Sequence, residues 1–148
     1  MREILFRGKS DLLGWVEGWY CPEVKWGEHH FPVGITHKAK EGWLDDVAVM
    51  PQTVGQFTGL TDKNGKRAFE HDVIKHHFWD EIGVIRYGEY RNPFGDDSHG
   101  GHVGFYVDWV SGTEPGLLRK DLAYWMKIVE ILGNIHDNPE LLGGAGGG

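Results

Sequence analysis

The side chains best suited to chemistry in this sequence are nine histidines. They occur as His29, His30 and His37; His71, His76 and His77; His99 and His102; and His136 alone. Zinc needs three or four converging ligands, usually at recognisable spacing, and the sequence holds no His-Glu-x-x-His. Neighbours on a strand point to opposite faces, so His76 and His77 divide between the two sides of any sheet. No metal ligand set is therefore assigned. Glu70 and Asp72 stand two apart and would share a strand face, where paired carboxylates can exchange protons. An aspartate directly before Val73-Ile74 reads more simply as the cap of a turn that starts a strand. Asp62, Asn64 and Gly65 open like a calcium loop, but its sixth and twelfth places hold Arg67 and Val73 instead of glycine and glutamate.

Nucleophiles and cofactor loops are equally sparse. Ser10, Ser98 and Ser111 lack a Gly-x-Ser-x-Gly elbow. Cys21 precedes Pro22 at an apolar strand end and reads as buried and unreactive. Neither phosphate-cradling glycine pattern occurs. The expectation is a non-enzymatic protein with no catalytic, cofactor-binding or metal residues. Aromatic residues offer binding instead. Trp79, Tyr87, Tyr106 and Trp109 form the candidate interaction surface, as a protein-binding face or as a platform for stacked bases. Phe105 and Tyr106 must point to opposite faces of one strand, so part of the wider aromatic set is core or interface. A formal charge of −7 opposes phosphate binding, so nucleic acid is the weaker reading and a metal hydrolase weaker still.

The elements that would hold these residues are strands. Glycine, at 23 residues, and tryptophan, at 7, are both abundant, a balance that favours strands and tight turns over helices. A first strand is expected over residues 2–8, ended by Gly8, and a second over Gly14–Cys21. Residues 22–46 read as a long variable excursion with at most one short hairpin. Strands follow over residues 53–59, 72–79, 81–90 and 103–110. Asn64-Gly65 is expected to form a tight turn with both residues at positive φ. Leu118, Leu122 and Trp125 suggest a helix, and alternation within residues 127–135 suggests a last strand. Asn138 before Pro139 reads as a helix N-cap with proline in the first turn. The fold class is all-β, mainly antiparallel, as a strongly bent sheet or partly open barrel, with one or two short helices near the C-terminus. A single β domain is expected over residues 1–142, with a flexible glycine-rich tail over residues 143–148. One cysteine, no apolar leader and no run of 18 apolar residues point to the cytoplasm with no membrane role.

Five ordered blocks resemble the YopX-like family of bacteriophage and prophage proteins: "MREILFRGK", "PQTVGQFTGLTDKNGKRAFEHDVI", "IGVIRYGEY", "GFYVDW" and "VEILGNIHDNPELL". The resemblance is weak over residues 22–46. It implies a small, mostly β accessory protein of the host cytoplasm, with no catalytic residues to carry over. Its structural signature falls on Gly59, Leu60, Asp62, Asn64, Gly65 and Asp72. His71 departs from the pattern, which has glycine there, and puts a positive-φ turn at that position in doubt. The expected partners are a second copy of the chain or a host or phage protein, because open strand edges must be paired or covered.

Overall fold

A computed structural model describes residues 4–38, 41–90, 101–110 and 121–147. Leu118 and His99 lie outside them. The strands are antiparallel throughout the described pairings, and the sheets do not close into a barrel. The chain divides into two compact units, Met1–Gly59 and Leu60–Gly148.

In the first unit, β1 (Phe6–Ser10), β2 (Gly14–Cys21), β5 (Gly34–Lys38), β6 (Leu44–Ala48) and β7 (Gly55–Thr61) are arranged in the order β6-β5-β2-β1-β7. β7 runs on into the second unit. A separate hairpin joins β3 (Val24–Trp26) to β4 (His29–Phe31). Val16, Ile35 and Val49 form the buried centre, with Phe6, Val33 and Val47 against them. The first strand starts later than expected and continues past Gly8. A Cβ at Gly8 would lie 2.7 Å from Val49 Cγ2, so the glycine admits a core side chain and does not end the strand. The span read as an excursion is also more regular than expected, holding β3, β4, β5 and most of β6.

The second unit centres on a four-stranded sheet ordered β11-β10-β9-β12, with β9 (Asp72–His76), β10 (Glu81–Tyr90), β11 (His102–Trp109) and β12 (Glu130–Asn134). β8 (Arg67–Phe69) precedes it, and the helices among the described residues of this unit are the single turn α1 (Leu122–Trp125) and α2 (Glu140–Gly147). Ile74, Ile85, Val107 and Trp109 pack with Trp125 and Met126 in its core. β9 ends three residues before the expected boundary. Asp80 takes φ 52°, and the chain folds back so that Trp79 stacks on His76 at 4.7 Å. α2 reaches into the glycine run. Asn138 does not cap it by its side chain, because Asn138 Oδ1 accepts the Asn134 N–H at 3.3 Å.

The turn after β7 is built on Asp62. Its N–H donates to Lys66 O at 2.8 Å, and the Gly65 N–H donates to Asp62 O at 3.0 Å. Only Gly65 (φ 84°) takes positive φ, whereas Asn64 was expected to share it. The result is a turn closed by one left-handed glycine, the three-residue-loop alternative to the two-residue turn. Asp62 Oδ1 accepts the N–H groups of Asn64 and Lys66, each at 2.9 Å. Oδ2 accepts the Ile131 N–H of β12, also at 2.9 Å. Burial pushes this carboxyl up, but the three backbone donors outweigh it and hold the pKa below the ordinary aspartate value. A depressed carboxylate stabilises the fold above its unfolded pKa, and that contribution is lost as pH falls through the lower folded value. Asp62→Asn cannot accept all three donors. It is expected to lower unfolding free energy by about 2 kcal/mol, measured by urea denaturation at neutral pH, with the deficit shrinking below pH about 4. A loss under about 0.5 kcal/mol would contradict this role.

Candidate interaction surfaces

Gly59 and Gly65 both take φ 84°, where a side chain is strained. Leu60 packs against the core of the second unit. Asp72 is 2 % exposed, and its Oδ2 accepts the Phe69 N–H at 2.8 Å, which is the expected turn cap.

His71 retains the turn that its departure from glycine put in doubt, with φ 79°. Its backbone is held from both sides: the N–H donates to Ile85 O at 2.7 Å, and the carbonyl accepts from the Ile135 N–H at 3.1 Å. The ring meets His136, with Nδ1 of His71 3.2 Å from Nε2 of His136, and Nε2 of His71 lies 3.6 Å from Glu70 Oε2. These contacts help keep a non-glycine residue in a left-handed conformation that costs about 1–3 kcal/mol. His76 is buried against Trp79 and Trp125, and desolvation lowers its pKa. Its neighbour His77 is exposed and contacts Glu130, so the adjacent pair splits as expected. Among the described residues no three His, Cys, Asp or Glu side chains converge as metal ligands. Cys21 is half-buried, its thiol donating to Glu23 O at 3.0 Å.

The aromatic candidates do not share a surface. Trp109 is 6 % exposed and meets Trp125 edge-on at 5.3 Å. Trp79 is half-buried against the same core. Tyr87 is exposed, and the pairings Tyr87↔Phe105 and Arg86↔Tyr106 place Tyr87 and Tyr106 on opposite faces. Tyr106 stacks on Tyr90, whose hydroxyl donates to Asp121 Oδ1 at 2.8 Å. Tyr90, Asp121, Leu122 and Tyr124 line a cleft of about 560 Å³ in this unit.

A second cleft, about 580 Å³, lies wholly in the first unit. The β1–β2 turn supplies Asp11, Leu12 and Leu13, the β3–β4 hairpin supplies Val24, Lys25 and Phe31, and β6 supplies residues 45–48. Ser10 builds the turn, its Oγ accepting the N–H groups of Leu12 and Leu13 at 3.2 and 3.3 Å. That fold leaves Leu12 84 % and Leu13 59 % exposed, and Trp43 and Leu44 at the entry to β6 are exposed as well. Asp46 Oδ1 accepts from the Thr36 hydroxyl at 2.6 Å, and Asp45 Oδ2 from the Trp43 ring N–H at 3.2 Å. Sequence reasoning missed this site. Its one local signal was a Leu-Leu pair in a tight turn, where polar residues are usual.

The YopX protein family model matches residues 23–143. The match takes in the span where the resemblance was weakest and begins after the "MREILFRGK" block. The crystal structure of protein EF1440 from Enterococcus faecalis is similar at 16% identity and a TM-score of 0.48, covering 96% of this chain and 99% of that one. No curated protein matches the sequence. No described helix is long and apolar enough to cross a membrane.

The His71 geometry yields a paired prediction. His71→Gly removes the strain along with the ring contacts and should change stability by no more than about 1 kcal/mol. His71→Val places a β-branched side chain at φ 79° and should cost at least about 2 kcal/mol. Equal thermal midpoints for the two variants would show that no strain resides there.

Proposed function

The chain belongs to the YopX protein family, and from that premise we propose that it is a non-enzymatic β module that works by binding a polypeptide. In the phage or prophage setting that the sequence resemblance implies, the partner would be a host or phage protein, or another copy of the chain, in the host cytoplasm.

The observation that carries this reading is the exposure of Leu12 and Leu13 in the lining of one cleft of the first unit, with Trp43 and Leu44 exposed at the entry to β6, which supplies the rest of that lining. A hydrogen-bonded turn holds two of them outward. Apolar side chains grouped in this way mark interaction sites more often than isolated exposed ones do. Burying such a side chain fully is worth about 1.5–3 kcal/mol, so a partner that covers several gains a useful binding energy.

A second reading has one supporting observation. The Arg7 guanidinium lies 4.9 Å from the centre of the Trp15 ring, and exposed Trp19 follows on the same outward strand face. This arrangement could stack a nucleobase. Glu17 lies between the two tryptophans, and Asp46 lies on the same face two strands away, which opposes a phosphate backbone.

Light scattering and capture from host lysate test the first reading. The wild-type chain should self-associate or retain a partner. Leu12→Asp combined with Leu13→Asp should abolish that association while shifting the thermal midpoint by only a few degrees. A strict monomer that retains nothing would overturn the reading. Oligonucleotide binding at low salt, unchanged in the double variant, would move the conclusion to the second.

A further inference from the structure

We propose that the cleft along β6 takes an extended segment of a partner protein, basic and apolar in composition, which adds as a strand to the outer edge of the first sheet. The inference rests on the polypeptide-binding reading and specifies where the partner docks and what kind of segment it presents.

The edge supplies the backbone half of the site. β6 stands first in its sheet, and among the described residues only β5 pairs with it. An edge strand presents unpaired N–H and C=O groups along its outer side, and an added strand satisfies them. The cleft takes in four consecutive residues of that strand. Its lining includes Asp45, Asp46, Val47 and Ala48, and consecutive strand residues point to opposite faces. A hollow over one sheet face would take every second residue. A hollow that takes four in a row follows the edge.

The side chains supply the specificity. Leu12, Leu13, Val24 and Phe31 give apolar lining, and Asp11, Asp45 and Asp46 give three carboxylates. The one cation in the lining, Lys25, also acts on Glu23. The Glu23 carboxyl is held below its ordinary pKa, first by its hydrogen bond with His30 and then by the Lys25 charge. The cleft is therefore net negative. Asp45 and Asp46 point to opposite faces of β6, so an incoming strand, whose side chains also alternate, meets a carboxylate on each face beside the apolar lining.

The same charges argue against a second β6 as the occupant. Antiparallel pairing of two β6 strands centred on Asp46 sets Asp46 opposite Asp46. Centring between residues 45 and 46 sets Asp45 opposite Asp46. Like charges directly opposite destabilise a strand pair, and charged edges are a known defence against self-pairing. The cleft volume of about 580 Å³ falls in the range of ligand sites and admits several side chains.

The test uses the full chain and short synthetic peptides of alternating valine and lysine, with alternating valine and glutamate as the charge control. The lysine peptide should shift amide NMR signals of residues 45–48 and those of Leu12 and Leu13. Its affinity should fall about tenfold between low and high salt. Asp45→Asn combined with Asp46→Asn should weaken it by about tenfold as well. N-methylation of alternate peptide amides on the pairing side should abolish binding, because it removes strand hydrogen bonds. Equal binding of the glutamate peptide, indifference to N-methylation, shifts centred elsewhere, or no peptide binding would each overturn the proposal. If no peptide binds while retention dependent on Leu12 and Leu13 persists, only this inference fails. If that retention is absent too, the underlying reading fails with it.

Discussion

The second unit depends on one carboxylate. Asp62 is 5 % exposed, and removing an aspartate from water costs several kcal/mol after relaxation. Three backbone N–H groups, from Asn64, Lys66 and Ile131, accept that charge into the structure. Hydrogen bonds to a charged group contribute about 1.5–3 kcal/mol each, and three of them act against that cost. The downward displacement of the Asp62 pKa expresses the same balance. Two of the bonds shape the local turn. The third reaches 69 residues along the chain to β12, and the Lys63 N–H adds a bond to Val129 O. Val129 and Ile131 are core residues, so placing the turn also places one side of the hydrophobic core.

The rest of that unit repeats the device on a smaller scale. Asp72 closes the next turn through the Phe69 N–H. The backbone of His71 then joins β10 to the segment after β12. Asn134 Oδ1 accepts the N–H groups of His136 and Asp137, and the Asn138 side chain reaches back to Asn134. Short polar side chains thus satisfy the backbone at these reversals, where no strand partner is available. His71 shows how far this framework dictates conformation. The backbone bonds on either side keep φ positive although the residue is not glycine.

Local patterns were legible in the sequence where a residue acts on its near neighbours. β2 and β10 occur at their expected bounds. Asp72 caps its turn, and Gly65 takes the left-handed conformation. Long-range determinants were not legible. Gly8 resembles a strand end unless Val49 is known to press against it. Asp62 resembles a turn aspartate, and nothing nearby in sequence announces Ile131 as its third donor. The interaction candidates failed to converge for the same reason. Tyr87 and Tyr106 divide by strand pairing, and Trp109 is drawn into the core by Trp125. The β6 cleft draws on three separate segments, so it exists only once the chain is folded.

Polar turns fix the second unit; in the first, among the described residues, β6 pairs on one side only, and Leu12 and Leu13 are exposed. The central physical claim is that Asp62 is ionised and held by three amides. Carboxyl carbon NMR of the full chain, titrated downward from neutral pH, tests it most directly. The expected Asp62 midpoint lies below the ordinary aspartate value, with the amides of Asn64, Lys66 and Ile131 shifting at the same midpoint. An ordinary or raised midpoint, or amides that ignore the Asp62 titration, would contradict it.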